Sequence, residues 1–262
     1  MNSLLPKPEA ESDDLDASRA PLLDHLIELR RRLIWSFLTL GIAFAICFYF
    51  AEDIFTVLVQ PLLAAGQNRL IFTNVFEAFF SQVKVAFFAA GMVSFPVIAS
   101  QIWLFIAPGL YAQEKRAFLP FLLVTPILFG AGASLAYFFA VPVALHFLLG
   151  FEGNLGGVSQ EALPGVGNYL DFITKFLFGF GVAFLLPVLL MLVERAGLVS
   201  LEQLRKGRRY AIVAAFVVAA VLTPPDVISQ LLLAVPMMLL YELALIAIWL
   251  THRRRKRQDA TA

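Results

Sequence analysis

Residues 210–250 read YAIVAAFVVAAVLTPPDVISQLLLAVPMMLLYELALIAIWL. Two apolar runs, Tyr210–Leu222 and Val227–Leu250, flank the tetrad Thr223-Pro224-Pro225-Asp226. Basic residues bracket the whole stretch, with Arg208 and Arg209 before it and Arg253–Arg257 after it. Two successive prolines stop a helix, so the tetrad reads as a tight hairpin. A bilayer span takes about 20 apolar residues, a length the second run meets. The first run makes only roughly 20 Å of helix, which implies a thinned local bilayer or a re-entrant hairpin. The chain thus passes out and back between two clusters of positive charge.

The rest of the chain repeats this pattern. Of 262 residues, 60% are hydrophobic, 26 are Phe and only 15% are charged. A soluble domain of this size must keep much of its surface polar, so this composition belongs in lipid. Four further apolar stretches, Leu33–Ala51, Ala78–Ala107, Phe118–Leu149 and Phe172–Val193, bring the expected spans to six. The second and third exceed one bilayer and are expected to project from it or to break at a proline.

The net charge of +1 averages a polarised distribution: 17 of the 20 Lys and Arg residues lie on one side of the stack. Only Arg69, Lys84 and Lys175 fall on the other. Cytoplasmic loops carry the excess of Lys and Arg, which puts both termini inside and segments 52–77, 150–171 and 223–226 outside. The fold class expected is an all-α membrane protein of six transmembrane helices with cytoplasmic N and C termini. Pro96, Pro120, Pro126, Pro142, Pro187 and Pro236, with Gly130, Gly132, Gly179 and Gly181, favour either a bent, concave bundle or ordinary kinks in a packed one. The bundle ends in the short pair of spans five and six. Residues 1–20, polar and acidic, are expected to be a disordered cytoplasmic tail and no signal peptide. Residues 21–250 form the membrane domain and 251–262 a basic cytoplasmic tail.

Several function classes find no support. Cys47 is the single cysteine, which rules out an intrachain disulfide and any Cys-x-x-Cys site. His25, His146 and His252 are scattered, so no metal site is expected. There is no zinc-protease, nucleophile-elbow, phosphate-loop or dinucleotide motif, so neither an enzyme nor a cofactor is expected. The tail Arg253–Arg257 resembles a nucleic-acid patch in isolation. Beside a membrane helix it reads as an anchor on anionic lipid headgroups instead.

Two polar elements on the expected cytoplasmic face remain. Residues 21–33, PLLDHLIELRRRL, place Leu22, Leu26, Leu29 and Leu33 near helical spacing, with Asp24, His25, Glu28, Arg31 and Arg32 on the other side. This is a short amphipathic helix suited to the interface. Glu28 there is either a binding group or half of an i,i+4 pair with Arg32. Residues 107–116, APGLYAQEKR, end span two at Pro108-Gly109 and hold Glu114, either a binding group or a solvated loop charge.

Three stretches carry a family resemblance: HLIELRRR at 25–32, WLFIAPGLY at 103–111 leading to Glu114-Lys115-Arg116, and LTPPD at 222–226 followed by Ser229-Gln230. Together they resemble the TatC family, the polytopic subunit of the twin-arginine protein translocase. The resemblance covers about residues 21–250. It implies a receptor and scaffold in the bacterial cytoplasmic (inner) membrane that recognises signal peptides bearing two adjacent arginines. With single-span TatA-type and TatB-type partners, it would export folded proteins on the proton gradient. Self-association is also expected.

It further implies that Glu28 and Glu114 bind the tag, with Arg30, Phe105, Pro108, Leu110 and Tyr111 shaping the surface. The chemistry is apt, because guanidinium offers carboxylates a rigid fork of donors that ammonium lacks. Pro61 matches a position that shapes the first outer loop. Asp226 is expected to hydrogen-bond its own turn. One departure stands out. The family usually carries a polar residue in span four, two positions before the proline matching Pro187, and here that position is Leu185. Gln230 and Glu242 are candidate substitutes for contact with a partner helix. Glu77 and Lys84 are expected to find counter-charges on neighbouring helices. The alternative reading, a secondary transporter or ion channel for small solutes, requires polar groups converging at mid-membrane, whereas these glutamates sit at its edges.

Overall fold

The computed structural model describes the backbone of residues 9–110, 119–155 and 158–259. Its helices are α1 (Glu9–Tyr49), α2 (Ala51–Ala64), α3 (Glu77–Leu110), α4 (Leu119–Leu135), α5 (Val141–Leu149), α6 (Val166–Ala183), α7 (Leu186–Arg195), α8 (Leu201–Lys206), α9 (Arg208–Leu222) and α10 (Val227–Asp259). An antiparallel hairpin, β1 (Gly153–Leu155) with β2 (Val158–Gln160), lies between α5 and α6. Among the described residues, five segments are long and apolar enough to cross a bilayer: His25–Tyr49, Glu77–Phe105, Phe121–Leu149, Val166–Arg195 and Val227–Arg253. The sixth apolar helix, α9, has 15 residues. That is about 22 Å at 1.5 Å per residue, short of an apolar layer about 30 Å thick.

Proline sets the breaks. Between α4 and α5 the chain widens into a π-turn, Ala136–Ala140, where Val141 N–H reaches back to Ala136 O. Pro142 follows at once, and its ring and missing donor prevent a regular α-turn there. Helices α6 and α7 part at Phe184-Leu185, just ahead of Pro187. The fourth span also starts earlier than its apolar run suggests, at Val166.

Three expectations need correcting. The first outer segment is not a loop throughout, because residues 51–64 form α2 with Pro61 buried inside it. The helix tolerates Pro61 because Val57 O, the carbonyl that loses its i+4 donor, accepts from Tyr137 Oη at 2.7 Å. Tyr169 Oη donates to the neighbouring Leu58 O at 2.6 Å. Helix α3 does not end at Pro108-Gly109 but runs on to Leu110, since one missing donor near a C-terminus does not stop a long helix. Helix α1 runs unbroken from Glu9, so residues 9–20 and the amphipathic segment continue directly into the first span.

Helix α6 is the hub. Leu170, Ile173, Phe176 and Phe180 are fully buried against Leu62, Val85, Val141 and Leu233 of other elements. Of the best membrane window in Val166–Arg195, 44% is buried, against 11% for His25–Tyr49, so α1 is peripheral. The α4–α6 crossing is closest at two glycines. A Cβ on Gly132 would lie 2.5 Å from Phe180 O, and one on Gly181 2.6 Å from the Phe129 ring.

Candidate functional site

Helices α1 and α3 run antiparallel and meet at one end, where the His25 imidazole stacks on the Phe105 ring with centroids 4.3 Å apart. One turn along α1, the Glu28 carboxylate accepts from Arg32, whose Nε lies 3.0 Å from Oε1 and whose Nη2 bonds the same oxygen. Both side chains are half-buried, whereas Arg30 and Arg31 face outward. Carboxylate, guanidinium and aromatic plane therefore form one surface, at the point where α3 leads into the segment carrying Glu114. Arg32 and His25 were not among the binding residues expected from sequence. The i,i+4 spacing of Glu28 and Arg32 signals their pair, while nothing local signals the stack.

Phe105 is held from behind. Trp103 Nε1 donates to Thr125 Oγ1 at 2.9 Å, and its ring packs among Val188 and Leu192 of α7. This fixes the end of α3 against α4 and α7. Pro108 and Leu110 lie in the last turn of α3 as backbone, and Tyr111 and Glu114 lie outside the described residues. Beside this surface a cavity of about 250 Å³ opens where α4 begins, lined by Phe121, Met191, Glu194, Arg195, Thr251 and His252. Glu194 Oε1 and His252 Nε2 are 2.5 Å apart, linking α7 to α10.

The remaining candidates are not part of this surface. Asp226 is at the opposite end of the bundle, where its Oδ1 accepts from Ser229 N–H at 2.7 Å and so caps α10. Asp226 Oδ2 and Ser229 Oγ are buried there without a partner among the described residues. Gln230 Nε2 donates to Phe216 O at 3.2 Å and fastens α10 to α9. Glu242 is bridged to Arg208 at 2.7 Å, which occupies its charge. Leu185 is half-buried in the α6–α7 break. Pro61 is buried in α2. Lys84 pairs with its expected counter-charge, Asp171 of α6, at 2.7 Å, whereas Glu77 meets neutral donors instead, Gly167 N–H of α6 at 2.6 Å and Thr73 Oγ1 at 2.8 Å. Among the described residues no group of acidic, His or Cys side chains is arranged to hold a metal.

Comparison with known proteins gives a consistent answer. The family model described as "Sec-independent protein translocase protein (TatC)" matches residues 24–236. The Magnetococcus marinus protein of that name is 47% identical over 244 residues, covering 92% of this chain and 89% of its own length. The Escherichia coli K12 protein of the same name is 40% identical over 225 residues, covering 85% and 86%. A crystal structure titled as that of the twin arginine translocase receptor TatC superposes with a TM-score of 0.75 at 41% identity, covering 86% of this chain and 98% of that one. A second, in DDM, gives a TM-score of 0.77. A non-enzymatic subunit of a bacterial protein translocase accounts for a helical membrane chain with a charged and aromatic surface where α1 and α3 meet. The chain belongs to the TatC family of Sec-independent protein translocase proteins.

Proposed function

We propose that this chain is the receptor subunit that binds twin-arginine signal peptides at the His25–Phe105 end of the bundle, on the cytoplasmic side. Glu28 and Glu114 supply the carboxylates, Arg30 offers an outward-facing charge two residues after Glu28 on α1, and Phe105, Pro108, Leu110 and Tyr111 supply the apolar ground. The observation that carries the reading is the occupancy of Glu28, which already holds a guanidinium, that of Arg32. Carboxylate and guanidinium are matched in charge and fork geometry. A tag arginine replaces Arg32 by exchange between like partners.

Six spans and cytoplasmic termini are supported by the distribution of Lys and Arg, and a place in the bacterial inner membrane by the family resemblance. Single-span TatA-type and TatB-type partners, self-association and coupling to the proton gradient complete the proposal. Partner helices would approach along Leu185, with Pro61, Asp226, Gln230 and Glu242 holding the surrounding elements in shape. Photocrosslinkers placed next to Glu28 and Glu114 test the site with Arg-Arg and Lys-Lys peptides. Labelling by the Arg-Arg peptide, lost in Glu28→Lys and Glu114→Lys, is expected. Undiminished labelling in both variants defeats the assignment.

A further inference from the structure

Helices α1 and α3 enclose a second feature, at the end away from the Glu28 surface. Small residues Ala43, Cys47, Ala86 and Ala90 interlock along their seam. Beside the seam lies an open groove of about 570 Å³. Phe37, Gly41 and Phe44 of α1 and Phe80 and Phe87 of α3 wall it, each set at helical spacing on one face. Among its described lining residues Lys84 alone is charged.

The interlocked alanines set Lys84 level with the last turn of α1, near the boundary of the apolar layer. From that level down to Phe37 is about ten residues of helix, or about 15 Å, the depth of a single leaflet. A volume of about 570 Å³ over that length leaves a section of about 38 Å². The groove is long and narrow enough to seat an extended hydrocarbon chain along its length. Its floor is clear, since a Cβ on Gly41 would meet no atom within 4 Å.

The polar end specifies the headgroup. Lys84 Nζ and Asp171 Oδ1 are 2.7 Å apart, and their side chains are 38% and 49% exposed, so the pair opens outward. An ammonium has three donors and a carboxylate about four acceptor positions, and this bond uses one of each. We infer that the groove holds one acyl chain of a phospholipid whose headgroup carries both a phosphate and a primary ammonium, of the phosphatidylethanolamine type. The phosphate accepts from Lys84 and the headgroup ammonium donates to Asp171. An anionic headgroup meets the Asp171 charge without a cation to offer it. A quaternary ammonium has no N–H to donate.

Native mass spectrometry of the full-length chain in detergent tests this with ethanolamine, choline and glycerol phospholipids of identical acyl chains. The ethanolamine lipid should be retained about tenfold better than the other two, the scale of a hydrogen bond to a charged group. Lys84→Gln should abolish that preference. Gly41→Leu, whose Cβ would meet no atom within 4 Å, should reduce retention of all three lipids while leaving the thermal melt unchanged. Equal retention of the three headgroups, preference for the glycerol lipid, or full retention by Gly41→Leu overturns the inference.

Discussion

Glu28 has two roles that compete. As the i,i+4 partner of Arg32 it contributes about 0.2–0.5 kcal/mol to helix α1. As a receptor for an incoming arginine it must give that partner up. Arg32→Gln should therefore raise affinity for an Arg-Arg peptide about twofold, by removing the internal competitor. Glu28→Gln should lower it by tenfold or more, since a hydrogen bond to a charged group contributes about 1.5–3 kcal/mol. Peptide titration against the solubilised chain measures both. Weaker binding in Arg32→Gln would mean that Arg32 helps to hold the tag and does not compete for Glu28. The pair was legible in the sequence because both residues lie on one helical turn. The His25–Phe105 stack was not, because it exists only once two distant helices run antiparallel.

At the scale of the element, helix α2 is the instructive case. Its 14 residues contain Glu52, Asp53, Gln60 and Pro61, too short and too polar to register as a span. A mid-segment proline also reads as a loop. What makes it a helix is support from elsewhere, two tyrosine hydroxyls 80 and 111 residues away that take up carbonyls around the proline. Tyr137→Phe should leave Val57 O without that donor and cost about 0.5–1.5 kcal/mol, seen as faster proteolysis or amide exchange of α2. Exchange in α2 identical to the parent would show that Pro61 needs no such support. The α4–α6 crossing works by the opposite means, closeness without polar contact. Gly181→Ala forces the Phe129 ring to move and should destabilise by about 1–3 kcal/mol. Gly130→Ala, facing open space, should not. Glycine content flagged these helices in the sequence, but only the packing distinguishes Gly132 and Gly181 from Gly130.

For the whole molecule, the apolar runs and the one-sided cations made the spans legible, since both follow from the physics of a bilayer and need no tertiary knowledge. The least determined part is α9, about 22 Å long where about 30 Å is needed. If α9 crosses, the bilayer thins beside it and the Thr223–Asp226 turn lies outside. If it is re-entrant, that turn returns to the side of Glu202. The single cysteine allows a clean test. In a Cys47→Ala background, Glu202→Cys, Glu161→Cys and Val227→Cys each place one reporter on an exposed position. Labelling of intact cells with a membrane-impermeant maleimide should reach Glu161→Cys and Val227→Cys but not Glu202→Cys, which should react only after the membrane is opened. Protection of Val227→Cys alongside Glu202→Cys would make α9 re-entrant, with five crossings. The two termini would then lie on opposite sides, and the positive charge following α10 would oppose the orientation that the other loops dictate. Because α10 ends in five consecutive basic residues, Arg253–Arg257, that arrangement is strongly disfavoured, and a thinned bilayer at α9 is the lesser cost.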